Sequence, residues 1–358
     1  MWAIGGVLIY LAIKKDMEPT LLLPMGFGAI LVNLPLSGAV TQIYDGKAEV
    51  GVIDVLFNSG IANELFPLLL FVGIGAMIDF GPLLSNPKLM IFGAAAQFGI
   101  FFTLSVAALL GFDLKDAASI AIIGAADGPT SIFVANFFNS KYIGAIMVAA
   151  YSYMALVPIV QPPVIKLLTT KSERQIKMPY KAKSVSRRTR ILFPILITVI
   201  TGIVSPRSVA LIGFLMFGNL IRECGVLDFL SETAQKVLSN LVTLFLGITI
   251  ATKMQAEMFL TWETLMIIAL GLVAFVFDTA GGVIFAKLLN LVLKKDNKIN
   301  PMIGAAGISA FPMSARVVHK MGLEEDRQNF LLMHSIGVNV SGQIASVIAG
   351  GLILNLLA

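Results

Sequence analysis

Few side chains in this 358-residue sequence are placed to do chemistry, and the most unusual is Asp127. It lies in IIGAADGPTSIF (122–133), one carboxylate inside apolar sequence, followed at once by Gly128-Pro129. At membrane depth a carboxylate is expensive and by default marks an ion or proton site. Before Gly-Pro the same residue also reads as an Asx-type turn former. Candidate neutral ligands occur far from it in sequence. Asn300 precedes Pro301, which suits a helix N-cap with proline at N1 and equally an amide ligand. Ser309, in GISAFPMSAR, falls at a second break, where a hydroxyl and freed carbonyls suit a hard cation. Tyr153 stands about ten residues into its apolar run, too deep for an interfacial aromatic belt, so its hydroxyl needs a buried partner. Asn339, in GVNVSGQIAS beside Ser341, Gln343 and Ser346, belongs to a polar seam that serves either a ligand or helix–helix adhesion. Arg316 follows the second break, as a site cation or as an arginine snorkelling to the surface. Asp278, in VFDTAGG, is a second mid-span carboxylate with no evident partner. Carboxylate, amide, hydroxyl and backbone oxygens together suit an alkali cation or a proton.

The elements that position these groups must be membrane spans. The chain is 57% hydrophobic and only 13% charged, with mean hydropathy +0.88. A soluble domain sits near 45–50% apolar and about 25% charged. Runs such as 89–110 and 143–168 are long enough to cross a hydrocarbon core about 30 Å thick. The single cysteine, Cys224, excludes an internal disulfide and a multi-cysteine metal site. His319 and His334 have no zinc-type spacing. The segment 2–13 lacks a basic region before it and a cleavage site after it, and reads as a short first span. No nucleotide loop, flavin fingerprint or catalytic triad is visible. Nucleic-acid binding is not indicated either, because topology accounts for the basic residues.

Those basic residues orient the chain. Lys166, Lys171, Arg174, Lys177, Lys181, Lys183, Arg187, Arg188 and Arg190 crowd one connection with Glu173 as its only acid. Short Lys/Arg-rich loops stay cytoplasmic, so 169–190 is placed inside. Walking backward, 143–168 enters from outside, 89–110 runs outward, 66–80 inward, 20–36 outward and 2–13 inward. Segment 115–139 then has both ends outside. Ala117–Ala126 spans ten residues, about 15 Å of helix and half a membrane, before Asp127-Gly128-Pro129 breaks it. This predicts a re-entrant hairpin, whose irregular tip needs protein or a wet cavity around it. Walking forward, 191–204 exits, 207–221 enters, 238–252 exits and 263–290 enters. This places Lys287, Lys294, Lys295 and Lys298 inside. A second hairpin, 300–320, rises from the inside, and 328–357 exits. Of the 26 Lys and Arg, 21 then lie inside and 5 outside.

The sequence also repeats. LKDAASIAIIGAADGPTS (114–131) aligns without gaps on NKINPMIGAAGISAFPMS (297–314), matching Lys115/Lys298, Gly124/Gly307, Pro129/Pro312 and Ser131/Ser314. Each half reads as four spans, a broken hairpin and a span. Five crossings per half invert the second against the first, the architecture of secondary-type ion transporters. The expected fold is therefore an all-α polytopic membrane protein of about ten spans and two hairpins. The first repeat is 1–168, the basic connection 169–190, and the second repeat 191–358.

GAADGPTSIF (124–133), AYSYMALVPIVQPPVIKLLTTKSER (150–174), NPMIGAAGISAFPMSARVVHKMG (300–322) and NFLLMHSIGVNVSGQIAS (329–346) closely resemble the beta subunit of the sodium-pumping biotin-dependent decarboxylases. That family includes oxaloacetate, methylmalonyl-CoA, glutaconyl-CoA and malonate decarboxylases. The resemblance covers nearly the whole chain. It places the family's functional positions on Asp127, Tyr153, Asn300, Gly304, Ser309, Arg316 and Asn339. Val338 departs from the Gly-Pro-Asn usual there.

The resemblance implies a pump in the prokaryotic plasma membrane. Carboxybiotin on a biotin carrier protein, charged by a carboxyltransferase alpha subunit, is decarboxylated here with uptake of a proton, and sodium is driven outward. A small membrane gamma or delta subunit completes the complex, and a homo-oligomer is compatible with it. In this reading Asp127, Asn300, Gly304, Ser309 and Asn339 hold sodium, Tyr153 passes a proton, and Arg316 binds the carboxylate or the biotin ureido oxygen. The rival expectation is a sodium-coupled carboxylate or sodium/proton transporter on the same scaffold. A plain membrane anchor for a soluble decarboxylase has no use for Asp127 at depth.

Overall fold

The protein is described here from a computed structural model covering residues 1–180, 184–294 and 297–357. Lys181, Lys183 and Lys295, assigned above to the inner face, lie outside these residues. The first half contains α1 (Trp2–Lys15) and α2 (Pro19–Val32), then a short ribbon of β1 (Gln42–Tyr44) antiparallel to β2 (Lys47–Glu49). A helical segment, Val52–Ile61, meets α3 (Leu65–Met77) at 60°. Next come α4 (Pro87–Leu109), the hairpin arms α5 (Leu114–Ala121) and α6 (Gly128–Phe137), and α7 (Ile143–Leu168). The second half contains α8 (Arg187–Val204), α9 (Val209–Glu223), α10 (Asp228–Lys253) and α11 (Trp262–Val292). A 3₁₀ segment, Pro301–Gly307, then leads to α12 (Met313–Glu325) and α13 (Leu332–Leu357).

This is an all-α membrane protein. Five helices, α4, α7, α10, α11 and α13, are long and apolar enough to cross a bilayer, and the bent 52–77 pair makes a sixth. Helices α1, α2, α8 and α9 have 14, 14, 18 and 15 residues. At 1.5 Å per residue they reach only about 21–27 Å. Six segments among the described residues therefore meet the length and hydropathy of a full span.

The packing pairs the halves. Helix α1 lies on α2, and α8 on α9. Helix α2 packs on α10, and α9 on α3. Helix α7 packs on α11, and α13 on the first part of α4, while α4 and α11 cross each other. Exchanging the halves maps each pair onto another. The bent 52–77 pair and α10 each carry a π turn, at Phe57–Ile61 and Ala234–Leu238, an insertion that bends a helix locally. Helices α4, α7, α11 and α13 form an inner bundle around the two broken hairpins.

The connections sort into two groups. Asn33 donates to the Met254 carbonyl, Asn136 to Ile61, and Lys141, Asp113, Asp116 and Glu263 share one surface cleft. All of these were assigned outside. Arg174 pairs with Glu325 at 2.6 Å, Lys287 with Glu173 at 3.3 Å and Lys177 with Asp326 at 3.0 Å. All of these were assigned inside.

Candidate functional site

The site starts from a failure of local structure. After α5, the Ile122–Ala125 turn tightens to 3₁₀ and Ala126 adopts a left-handed φ of 52°. Asp127 then caps α6, with Pro129 within its first turn. Its Oδ1 accepts from the Thr130 amide at 3.3 Å, and its Oδ2 from the Thr130 hydroxyl at 2.7 Å. The turn-forming reading of Asp127 is thus realised in its geometry. It is not the whole account, because two further donors come from α13. The Ser346 hydroxyl reaches Oδ2 at 3.1 Å and Gln343 Nε2 at 3.3 Å. Asp127 is only 3% exposed. Among the described residues every ion pair lies elsewhere. A buried carboxylate held by neutral donors alone retains an unneutralised charge, which a cation or a proton would compensate.

The second hairpin brings its own break to the same place. Pro301–Gly307 ends at Ile308 in extended backbone, and the Ser309 amide donates to the Ala125 carbonyl at 2.9 Å. Ala126, Ile308, Ala310, Val157 and Phe275 pack together around the junction. The Ser309 hydroxyl donates to the Gly342 carbonyl at 3.0 Å. Asn339 Nδ2 donates to the Ile308 carbonyl at 2.6 Å, while its fully buried Oδ1 has no protein partner. Asn339 and Gln343 are one turn apart, so α13 presents one polar face to both breaks.

The remaining expected residues lie further out. Asn300 caps the 3₁₀ segment, accepting from Met302 at 3.1 Å, and donates to the carbonyls of Arg174 and Ile176 at 2.7 and 2.9 Å. It ties the second hairpin to the 169–190 connection. At Gly304 a Cβ would sit 2.0 Å from the Gly282 carbonyl oxygen, so this glycine permits a backbone crossing with α11. Tyr153 is buried, stacks on Phe275 at 6.5 Å and donates to the Ile268 carbonyl. That contact supplies the buried partner its depth demanded. Arg316 is exposed on α12 and acts electrostatically on Glu18, whose carboxyl is pushed up by burial with Arg316 opposing. Asp278 accepts from the Ile100 amide at 3.1 Å. Helix α4 interrupts at Gln97 and restarts at Phe98, so Asp278 caps the restarted turn from a neighbouring helix.

Two groups of the site carried weak sequence signals. Thr130 lies inside the quoted motif, and its spacing of three from Asp127 is that of an N-cap partner. Tyr151 had a rival two positions on. Its ring lies against Gly128, where a Cβ would be 2.3 Å from Tyr151 Cζ.

Helical crossings, paired broken hairpins and an oxygen-lined site with a buried carboxylate define an ion-translocating membrane protein. The family model of the Na+-transporting oxaloacetate decarboxylase beta subunit matches residues 1–357, and the chain belongs to that family. These are the membrane subunits of sodium pumps coupled to decarboxylation. The chain is 49% identical over 358 residues to the methylmalonyl-CoA decarboxylase subunit beta of Veillonella parvula, covering 100% of this chain and 92% of the relative. It is 49% identical over 354 residues to the glutaconyl-CoA decarboxylase subunit beta of Acidaminococcus fermentans, covering 99% and 92%. It is 44% identical to a probable oxaloacetate decarboxylase beta chain of Pasteurella multocida, covering 99% and 93%.

Proposed function

We propose that this chain carries sodium outward across a prokaryotic plasma membrane, driven by decarboxylation of carboxybiotin on a biotin carrier protein. The observation that carries this reading is Asp127, a buried carboxylate without a cationic partner among the described residues, placed where both hairpins break. Its charge offsets the desolvation of sodium. Asn339 Oδ1 and the backbone oxygens freed at the breaks supply neutral ligands, with the Ser309 hydroxyl beside them. Asn300 and Gly304 act from further away. Asn300 anchors the second hairpin to the 169–190 connection, and Gly304 lets it cross α11.

Carboxybiotin, when bound, supplies a carboxyl group whose release as CO₂ takes up a proton and yields the free energy for transport. Arg316 fits recognition of its carboxylate, because it is exposed at the end assigned to the cytoplasm. Tyr153 can hold a proton in this reading, since a phenol both donates and accepts. The relatives are named for three different acids at similar identity, which supports placing the choice of acid in a carboxyltransferase alpha subunit. A small gamma or delta subunit is the further membrane partner.

The scaffold we propose is an inverted repeat of five crossings and one hairpin, 1–168 and 191–358, joined by a cytoplasmic 169–190. The exchanged packing pairs and the matching π turns support it. Rocking of the hairpin-bearing bundle against the outer helices would expose the site alternately. The test is reconstitution of the complex in vesicles. Sodium movement that requires carboxylated biotin carrier supports the pump. Movement that follows a sodium or carboxylate gradient with no decarboxylation supports the transporter instead.

A further inference from the structure

Among the described residues Tyr151 is the largest fully buried side chain, 1% exposed, and its hydroxyl has no protein partner there. Buried hydroxyls are nearly always satisfied, and one without a partner is unfavourable. Its position is specific. The hydroxyl-bearing end of the ring presses on the backbone of Gly128, with Cζ and Cε1 2.3 and 2.4 Å from where a Cβ would stand. Gly128 is the first residue of the helix that Asp127 caps. The rest of the ring packs in an apolar cluster that includes Ile132, Met147 and Leu246, which offers the hydroxyl nothing. On Asp127, Oδ2 receives three donors, whereas Oδ1 receives only the long contact from the Thr130 amide. A carboxylate oxygen has room for more.

We infer that the Tyr151 hydroxyl is a ligand of the cargo cation at Asp127, set by the close packing of its ring on Gly128. The inference rests on reading Asp127 as the sodium site. A phenol oxygen offers lone pairs to a hard cation, and Oδ1, with its single long contact, has room for the same ion. Tyr153 is not placed for this. Positions two apart on a helix differ by about 200°, and Tyr153 spends its hydroxyl on Ile268. Tyr151 belongs to the same buried cluster as Leu21 and Met25 of α2 and Val242 and Leu246 of α10. A bound cation would therefore touch the boundary between the hairpin bundle and the outer helices.

The full chain in lipid nanodiscs tests this by thermal unfolding against sodium chloride, with potassium chloride holding ionic strength constant. Wild type should gain stability with sodium. Tyr151→Phe should raise the half-saturating sodium concentration about tenfold or more. Its sodium-free midpoint should equal or exceed that of wild type, because an unsatisfied hydroxyl is gone. An unchanged half-saturation overturns the inference. So does a lower sodium-free midpoint or a failure to assemble, each of which makes Tyr151 a packing residue. Asp127→Asn separates the two readings. If it abolishes the sodium response while Tyr151→Phe keeps it, only the role of Tyr151 fails. If Asp127→Asn responds as wild type does, or wild type itself does not respond, the site fails and the inference with it.

Discussion

The Ser309 amide donates to the Ala125 carbonyl over 2.9 Å, joining the two breaks in the helical segments around Asp127 and Ser309. Neither group has a helical partner, because each lies where its helix stops, and an unpaired backbone group away from water is costly. The link makes the two breaks one structural unit. Helix α13 clamps it, holding the first break through Ser346 and Gln343 and the second through Asn339 and Gly342. Movement of either hairpin therefore disturbs both sides of the site.

Replacing Asp127 with Asn keeps the size and removes the charge. Losing one charge of a buried pair costs about 3–5 kcal/mol, which corresponds to more than about a hundredfold in affinity. Sodium transport and sodium-stimulated decarboxylation should both vanish while the subunit still assembles in the membrane. Asp127→Glu, with the charge kept and displaced by a methylene, should weaken sodium affinity while assembly persists. Wild-type sodium dependence in Asp127→Asn would reduce this residue to a turn former.

Gly304 and Gly282 tolerate no side chain where they cross. In Gly304→Ala the new methyl meets the Gly282 carbonyl at 2.0 Å, a backbone atom that cannot swing aside. Overpacking of this kind costs about 1–3 kcal/mol. Gly213→Ala is the matched comparison, because its nearest contact would be Thr198 Cγ2 at 3.8 Å, and alanine is favoured over glycine within a helix by about 0.5–1 kcal/mol. Thermal melts should show a clear loss for Gly304→Ala and none for Gly213→Ala. Equal melts would mean that the crossing is looser than described.

The start of the 169–190 connection should loosen in acid. Burial pushes the Glu173 carboxyl up, but the Thr170 amide and hydroxyl together with Lys287 outweigh it, and its pKa lies below the usual 4.5. A carboxyl lowered by folding contributes stability above its unfolded pKa and loses it as pH falls through the folded value. Hydrogen exchange over 170–178, corrected for intrinsic rates, should therefore stay slow at neutral pH and speed up only below about pH 4.5. Glu173→Gln, which cannot titrate, should flatten that dependence. A wild-type profile in the variant would show that Glu173 is not the group responsible.

Sidedness follows from the charge distribution. In a Cys224→Ala background, a cysteine at Ser184 should resist an impermeant reagent added outside intact cells, and one at Lys141 should react. The reverse pattern would invert the whole orientation.

Much of this arrangement could be read from the sequence, where strong local signals exist. The ends of α7 fall where its apolar run ends, and the first hairpin breaks at Asp127-Gly128-Pro129 because proline and glycine stop a helix whatever surrounds them. Asn300 was legible as a cap and Asp127 as a turn former for the same local reason, and both form cap hydrogen bonds. Other features were not legible. Asp278 showed no partner because its partner is a backbone amide at a helix interruption near Gln97, and amides leave no mark in a sequence. Asn300 does more than cap, since its donors reach carbonyls of Arg174 and Ile176, whose positions depend on how the connection folds back.

What the sequence determined by itself was the solvent and the interruptions: an apolar chain sorted by its charges, with a carboxylate at a place where helix cannot continue. These depend on composition and on contacts within a turn or two, which hold in any packing. Only the tertiary structure decided which oxygens meet that carboxylate. Ser346 and Gln343 lie more than 200 residues from Asp127 in sequence. Which of Tyr151 and Tyr153 faces it depends on the rotation of α7 about its axis, and that rotation is set by the helices packed around it rather than by any preference of the two residues.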